Sequence, residues 1–109
     1  MQASLVALKE HVVYAASKAA VDGMTRVLAL ELGPHNIRVN TINPTVVMTD
    51  MGRYAWSDPA KAAPMLARIP LGRFAEVIDI VNVIIFLLSD KAAMIHGAII
   101  PIDGGVTAC

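Results

Sequence analysis

The chain lacks a second cysteine: Cys109 stands alone, so no internal disulfide can form. It lacks a charge imbalance, with 9 basic against 9 acidic side chains, so nothing points to nucleic acid or an anionic membrane as partner. Its longest unbroken apolar run, Val83 to Leu88, falls far short of the roughly 20 residues that a membrane-spanning helix needs. The first ten residues, Met1 to Glu10, carry neither a basic leader nor a full apolar signal core, and a cytoplasmic location is the expectation. There is no internal repeat or low-complexity segment. No metal site is assigned. No G-x-x-x-G-x-G stands anywhere in the chain, so a glycine-rich phosphate loop is missing.

Apolar residues are in excess. They make up 56% of the 109 residues, with 17% charged and a mean hydropathy of +0.60. That excludes a disordered, highly charged chain. A domain this small has much surface for its volume and needs polar residues to cover it. An apolar excess therefore suggests a share in a larger core or in a subunit interface.

Residues 12–32 read as one helix, rich in Ala and Leu, with Asp22 and Arg26 spaced to pair across one turn. Gly33-Pro34 stops it, Gly33 being suited to a left-handed cap. Ile37 to Ile42 reads as a buried strand ended by Asn43-Pro44. Residues 44–57 show no clean period. A second helix starts with Ser57 or Asp58 as cap and Pro59 in the first position, and runs to about Arg68 despite Pro64. Pro70 to Arg73 reads as a turn. A third helix over 76–89 is apolar nearly all round, which predicts deep burial. A final strand spans Ala98 to Ile102, closed by Asp103-Gly104-Gly105. Strands joined through helices indicate a parallel α/β sheet. Two such strands leave both sheet edges open, as in a portion of a doubly wound fold.

The main chemical signal is Tyr14-Ala-Ala-Ser17-Lys18. Positions i and i+4 of a helix share a face about 5–6 Å apart. An ammonium beside a phenol favours the phenolate, and such a phenol can pass a proton to a carbonyl oxygen. The motif alone is weak, because a surface helix can place Tyr and Lys together without purpose.

Its surroundings add more. Y-A-A-S-K-A-A leads into E-L-G-P-H-N-I-R-V-N-T-I-N-P, then Val47-x-Thr49, F-L-L-S-D and G-A-I-I-P-I-D-G-G. In this order the chain resembles the C-terminal half of the short-chain dehydrogenase/reductases over essentially all of its length. The stretches N-P-T-V-V-M-T, W-S-D-P and R-I-P-L-G-R-F-A-E-V are most similar to the dicarbonyl/L-xylulose reductase subgroup. That subgroup shares Pro44-Thr45, where most of the family has Pro-Gly.

The resemblance implies residues 1–109 of a Rossmann-like doubly wound α/β domain: two strands, three main helices, and no nucleotide-binding N-terminal half. It implies an NADPH-dependent carbonyl reductase, with NADP(H) as cofactor and a small carbonyl compound or sugar as substrate. Tyr14 would be the general acid/base. Lys18 would hold the nicotinamide ribose, and Val47 and Thr49 would contact the carboxamide and phosphates. The alternative for Thr49 is a helix or turn cap. His11, Trp56 and Met65 would line the substrate pocket, or simply pack. The Tyr14 helix would pair with its mate in a homo-oligomer, Ala15, Ala16, Ala19 and Ala20 allowing close approach. Two departures stand out. Met1 occupies the place of the family's catalytic serine, Ser4 coming three residues too late, and His96 stands where Thr is usual. A truncated product, an alternative start or a misplaced start would each explain Met1. The isolated chain would then be inactive, or a non-catalytic fragment that joins full-length subunits.

Overall fold

The structure is a computed structural model and describes residues 2–109. The long helix α1 runs from Val12–Leu32, as the Ala-rich stretch predicts. Gly33 is not its left-handed cap. Its φ is −54°, and the chain continues through a tight turn at Gly33–His35. The left-handed residue is Asn36, at φ 59°, whose N–H bonds back to the Gly33 carbonyl. Gly33 serves a close approach instead: a Cβ there would lie 3.1 Å from the Nε2 of His96.

That histidine joins three segments. Its Nε2 lies 2.7 Å from the Ala29 carbonyl, and its Nδ1 accepts from the Val39 N–H at 3.1 Å. Asn40 adds two bonds, donating to the Ile95 carbonyl and accepting from the Ala98 N–H. These side chains satisfy the backbone where a strand was expected from Ile37. The ladder itself starts later, as β1 over Thr41–Pro44. Its partner β2 spans Ile99–Ile102, parallel to β1 and in register from Thr41 opposite Ile99 to Pro44 opposite Ile102.

Between the strands lie three α-helices. The first, α2 over Asp50–Ala55, was not foreseen, because six residues are too few to show a period. Next come α3, Pro59–Leu66, capped by Asp58, one of the two caps that the sequence offers, with Pro64 inside it, and α4, Val77–Leu88. At the start of α4, Glu76 and Asp79 form a reciprocal capping box, and Arg73 grips Asp79 at 2.6 and 3.1 Å. The hydrogen bonds from Arg73 hold the Asp79 carboxyl down at about 2, well below the usual carboxylate range.

Two further expectations fail. Asp22 does not pair with Arg26 among the described residues. It is buried and accepts from the Asn43 side chain at 3.2 Å, tying α1 to β1. Helix α4 is not deeply buried: only Leu87 is enclosed, while Ile85 is 61% and Leu88 79% exposed. The core lies elsewhere, around Ala62, Ile69, Phe74 and Val106. The radius of gyration is 15.2 Å, against about 13 Å for a compact domain of this length. With two strands the sheet is too narrow to cover α1 and α4 as well as the core beside α3.

Candidate functional site

Tyr14 stands in the first turn of α1, and Lys18 one turn further. Their spacing puts the Lys18 Nζ 5.4 Å from the centre of the phenol ring. Before the helix, Glu10 takes φ 65°, a left-handed conformation uncommon outside glycine, and turns the chain sharply into His11. The Nδ1 of His11 is held 2.6 Å from the Lys9 carbonyl, and its ring meets Tyr14 edge-on, centroids 6.0 Å apart.

Trp56 faces this pair from the end of α2. Its indole packs on Phe74, ring centres 5.4 Å apart, and Lys61 lies over it at 5.0 Å, anchored to the Ala55 carbonyl. Met65, on α3, packs against the same core. A cavity of about 480 Å³ results, lined by Tyr14, His11, Trp56 and Met65 with Gln2, Val46, Leu8 and Lys9. All three residues expected at a substrate pocket thus meet the tyrosine in one space. Gln2 was missed. It is buried, and its amide oxygen has no hydrogen-bond partner among the described residues. An amide in an otherwise ordinary N-terminal run gives no sequence signal; only its burial marks it.

A second cleft, of about 340 Å³, opens beside the first and is lined by Lys18, Thr45, Val47 and β1. Lys18 and Val47, both expected at the cofactor, therefore share one groove. Thr49 is absent from its lining. Its hydroxyl accepts from the Gly52 N–H at 3.2 Å and caps α2, the alternative that the sequence left open. The turn before α2 is tight, and Gly52 is what permits it: a Cβ there would fall 2.0 Å from the Val47 carbonyl oxygen. The Met1 position lies outside the described residues. The Ser4 hydroxyl accepts from the Asn43 side chain at 3.0 Å.

The donor set fits a nicotinamide nucleotide. It has a cation, an apolar wall, and a buried hydroxyl on Thr45 with no partner among the described residues. Among the described residues, no helix is long and apolar enough to cross a membrane.

Residues 1–107 match the family model described as enoyl-(acyl carrier protein) reductase. The chain is 64% identical over 104 residues to D-erythrulose reductase of Gallus gallus, which covers 95% of the chain and 42% of that relative. It is 60% identical over 107 residues to L-xylulose reductase of Bos taurus, covering 98% and 44%. A 4-hydroxyisoleucine dehydrogenase structure with NADH superposes with a TM-score of 0.92 at 38% identity, over 98% of this chain and 44% of that one. An Agrobacterium tumefaciens structure with bound NADP gives 0.84 at 38%, over 88% and 39%. The chain thus spans less than half the length of these relatives. By sequence, by fold and by the matched motifs, this chain belongs to the short-chain dehydrogenase/reductase family of oxidoreductases.

Proposed function

We propose that the chain is the substrate and nicotinamide end of an NADPH-dependent carbonyl reductase of the dicarbonyl/L-xylulose reductase type, residues 1–109 forming its C-terminal half. The observation that carries this reading is the 480 Å³ cavity in which Tyr14 meets His11, Trp56 and Met65. The identity of about 60% to L-xylulose reductases supports the substrate class.

Tyr14 gives its phenolic proton to the carbonyl oxygen as negative charge develops there. Lys18, 5.4 Å from the ring, offsets the charge left on the phenolate, and from its groove it would hold the ribose of a bound nicotinamide nucleotide. Reduced nicotinamide, when bound, supplies the hydride that the carbonyl carbon receives. Trp56 and Met65 keep water from the reacting face. His11 and Gln2 offer polar contacts for substrate hydroxyls. Val47 lines the nicotinamide side, and Thr49 shapes that side as the cap of α2.

The phosphate loop is absent from this sequence, and dinucleotides bind across the strand switch point of such sheets. The chain by itself therefore turns over neither L-xylulose nor diacetyl. Joined behind the amino-terminal part of the bovine L-xylulose reductase, with serine restored at position 1, it does. In that fusion Tyr14→Phe lowers turnover by about 10²–10⁴-fold and leaves NADPH affinity close to intact. NADPH oxidation followed at 340 nm tests both statements. Clear turnover by the isolated chain, or more than half the activity retained by Tyr14→Phe, would refute the assignment.

A second reading has its own support. Val12 and Val13 on α1 are more than 80% exposed, and α4 is open along most of its length. These faces suit a non-catalytic fragment that associates with full-length subunits. Co-purification with such a subunit, in the absence of any turnover by the fusion, would favour it.

A further inference from the structure

Thr45 follows β1 and forms part of the wall between two clefts. One holds Lys18 and Val47; the other holds Arg73, Ala75 and Asp79. The residue is only 4% exposed. Its backbone N–H is already engaged, donating to the Ile102 carbonyl at 3.1 Å. Its hydroxyl is not: Oγ1 is buried and has no hydrogen-bond partner among the described residues. An unsatisfied buried hydroxyl typically costs about 1–3 kcal/mol. Valine has the same shape without that cost. A threonine here is therefore a net loss to the unliganded fold unless its hydroxyl acquires a partner in another state. Turning one staggered step about the Cα–Cβ bond carries the hydroxyl to another of the three staggered positions, so the oxygen can be redirected without moving the backbone.

We infer that Thr45 is a cofactor-positioning residue whose hydroxyl hydrogen-bonds the nicotinamide end of the bound nucleotide, in the groove of Lys18 and Val47. This rests on the proposed function, since it requires that groove to take a nicotinamide nucleotide. Position and chemistry agree. The groove already presents a cation and an apolar wall but no neutral side-chain hydroxyl other than those of Thr45 and Thr41, and the Thr45 oxygen is the one buried without a partner. Its role is to fix the orientation of the nicotinamide end, while Lys18 holds charge.

The test uses the fusion described above, with Thr45→Val and Thr45→Ser compared. Two quantities are read: NADPH dissociation constants by titration of nucleotide fluorescence, and melting temperatures with and without NADPH. The valine variant should bind NADPH about 3- to 10-fold more weakly, the range of one hydrogen bond. It should also melt about 2–4 °C higher without nucleotide, because the buried unsatisfied oxygen is gone. The serine variant should keep the affinity of the unaltered protein. A valine variant that binds NADPH as well as the unaltered protein would overturn the inference. So would one that melts lower without nucleotide, which would mean that the hydroxyl has a structural partner in the longer chain. If the unaltered fusion binds no NADPH, the proposed function falls first and this inference with it.

Discussion

Two glycines lie inside helices, and the same substitution should act on them in opposite directions. Gly23 sits in the middle of α1, and a Cβ added there meets nothing within 4 Å. Alanine is worth about 0.8–1 kcal/mol over glycine in a helix interior, so Gly23→Ala should stabilise by about that amount. Gly52 is the third residue of α2, and there the Cβ would lie 2.0 Å from the Val47 oxygen and 3.0 Å from its carbonyl carbon. Carbon–oxygen contacts settle near 3.3 Å, so one segment must move by about 1.3 Å. The obstacle is backbone and cannot rotate away. That carbonyl also accepts the Thr49 N–H at 2.8 Å, and Thr49 caps α2 through the N–H of Gly52 itself. Moving it loses a hydrogen bond of about 1 kcal/mol and a cap of about 0.5–2 kcal/mol. The gain in helix propensity is smaller, so Gly52→Ala should destabilise by about 1 kcal/mol or more. Urea unfolding followed by circular dichroism checks both variants, at one fixed concentration because association shifts apparent stability. Shifts of the same sign in the two variants would refute the reasoning about the turn at Val47.

Other outcomes follow from the same structure. The isolated chain should sediment as oligomers or precipitate, because α1 and α4 present large exposed apolar side chains such as Leu30 and Leu88; a sharp monomer boundary would contradict this. Thr49→Ala should cost about 0.5–2 kcal/mol and Thr49→Ser much less, if the hydroxyl acts as a cap, as read from urea midpoints. The Asp79 carboxyl, ordinarily near 3.8, is held at about 2 in the fold, so its contribution is complete above pH 3.8 and is lost as pH falls through 2. Asp79→Asn should remove that part of the acid sensitivity, and unchanged midpoints between pH 5 and 2 in the two proteins would argue against it.

The parts of the fold legible in the sequence were those with one dominant local cause. The extent of α1 follows from its alanines and leucines, and the start of α3 follows from Asp58-Pro59. The beginning of β1 was misjudged because its limit is set by His96 and Asn40, whose partners lie more than fifty residues away or across a turn. The burial of α4 was overestimated because periodicity reports which face is apolar, not whether anything in the chain covers it. At the candidate site, Tyr14 and Lys18 are marked by spacing, Trp56 by a stretch that carries the resemblance, and Met65 only by what the resemblance implies. Gln2 has no such mark, and Thr45 stands in one of those stretches with nothing to assign its hydroxyl a role. A polar residue becomes conspicuous only when folding buries it without a partner.

The parallel ladder has a kinetic consequence. Thr41 pairs with Ile99, so closing the sheet joins positions 58 residues apart. The length-dependent part of that closure costs about 3.6 kcal/mol of chain entropy before any ladder bond compensates it. Helix α1 and the turns around α3 need no such closure and can form in isolation from β2. Sheet pairing should therefore come late on the folding route, with β2 contributing little to the transition state. Substitutions in β2 should then speed unfolding while leaving the rate of refolding nearly untouched.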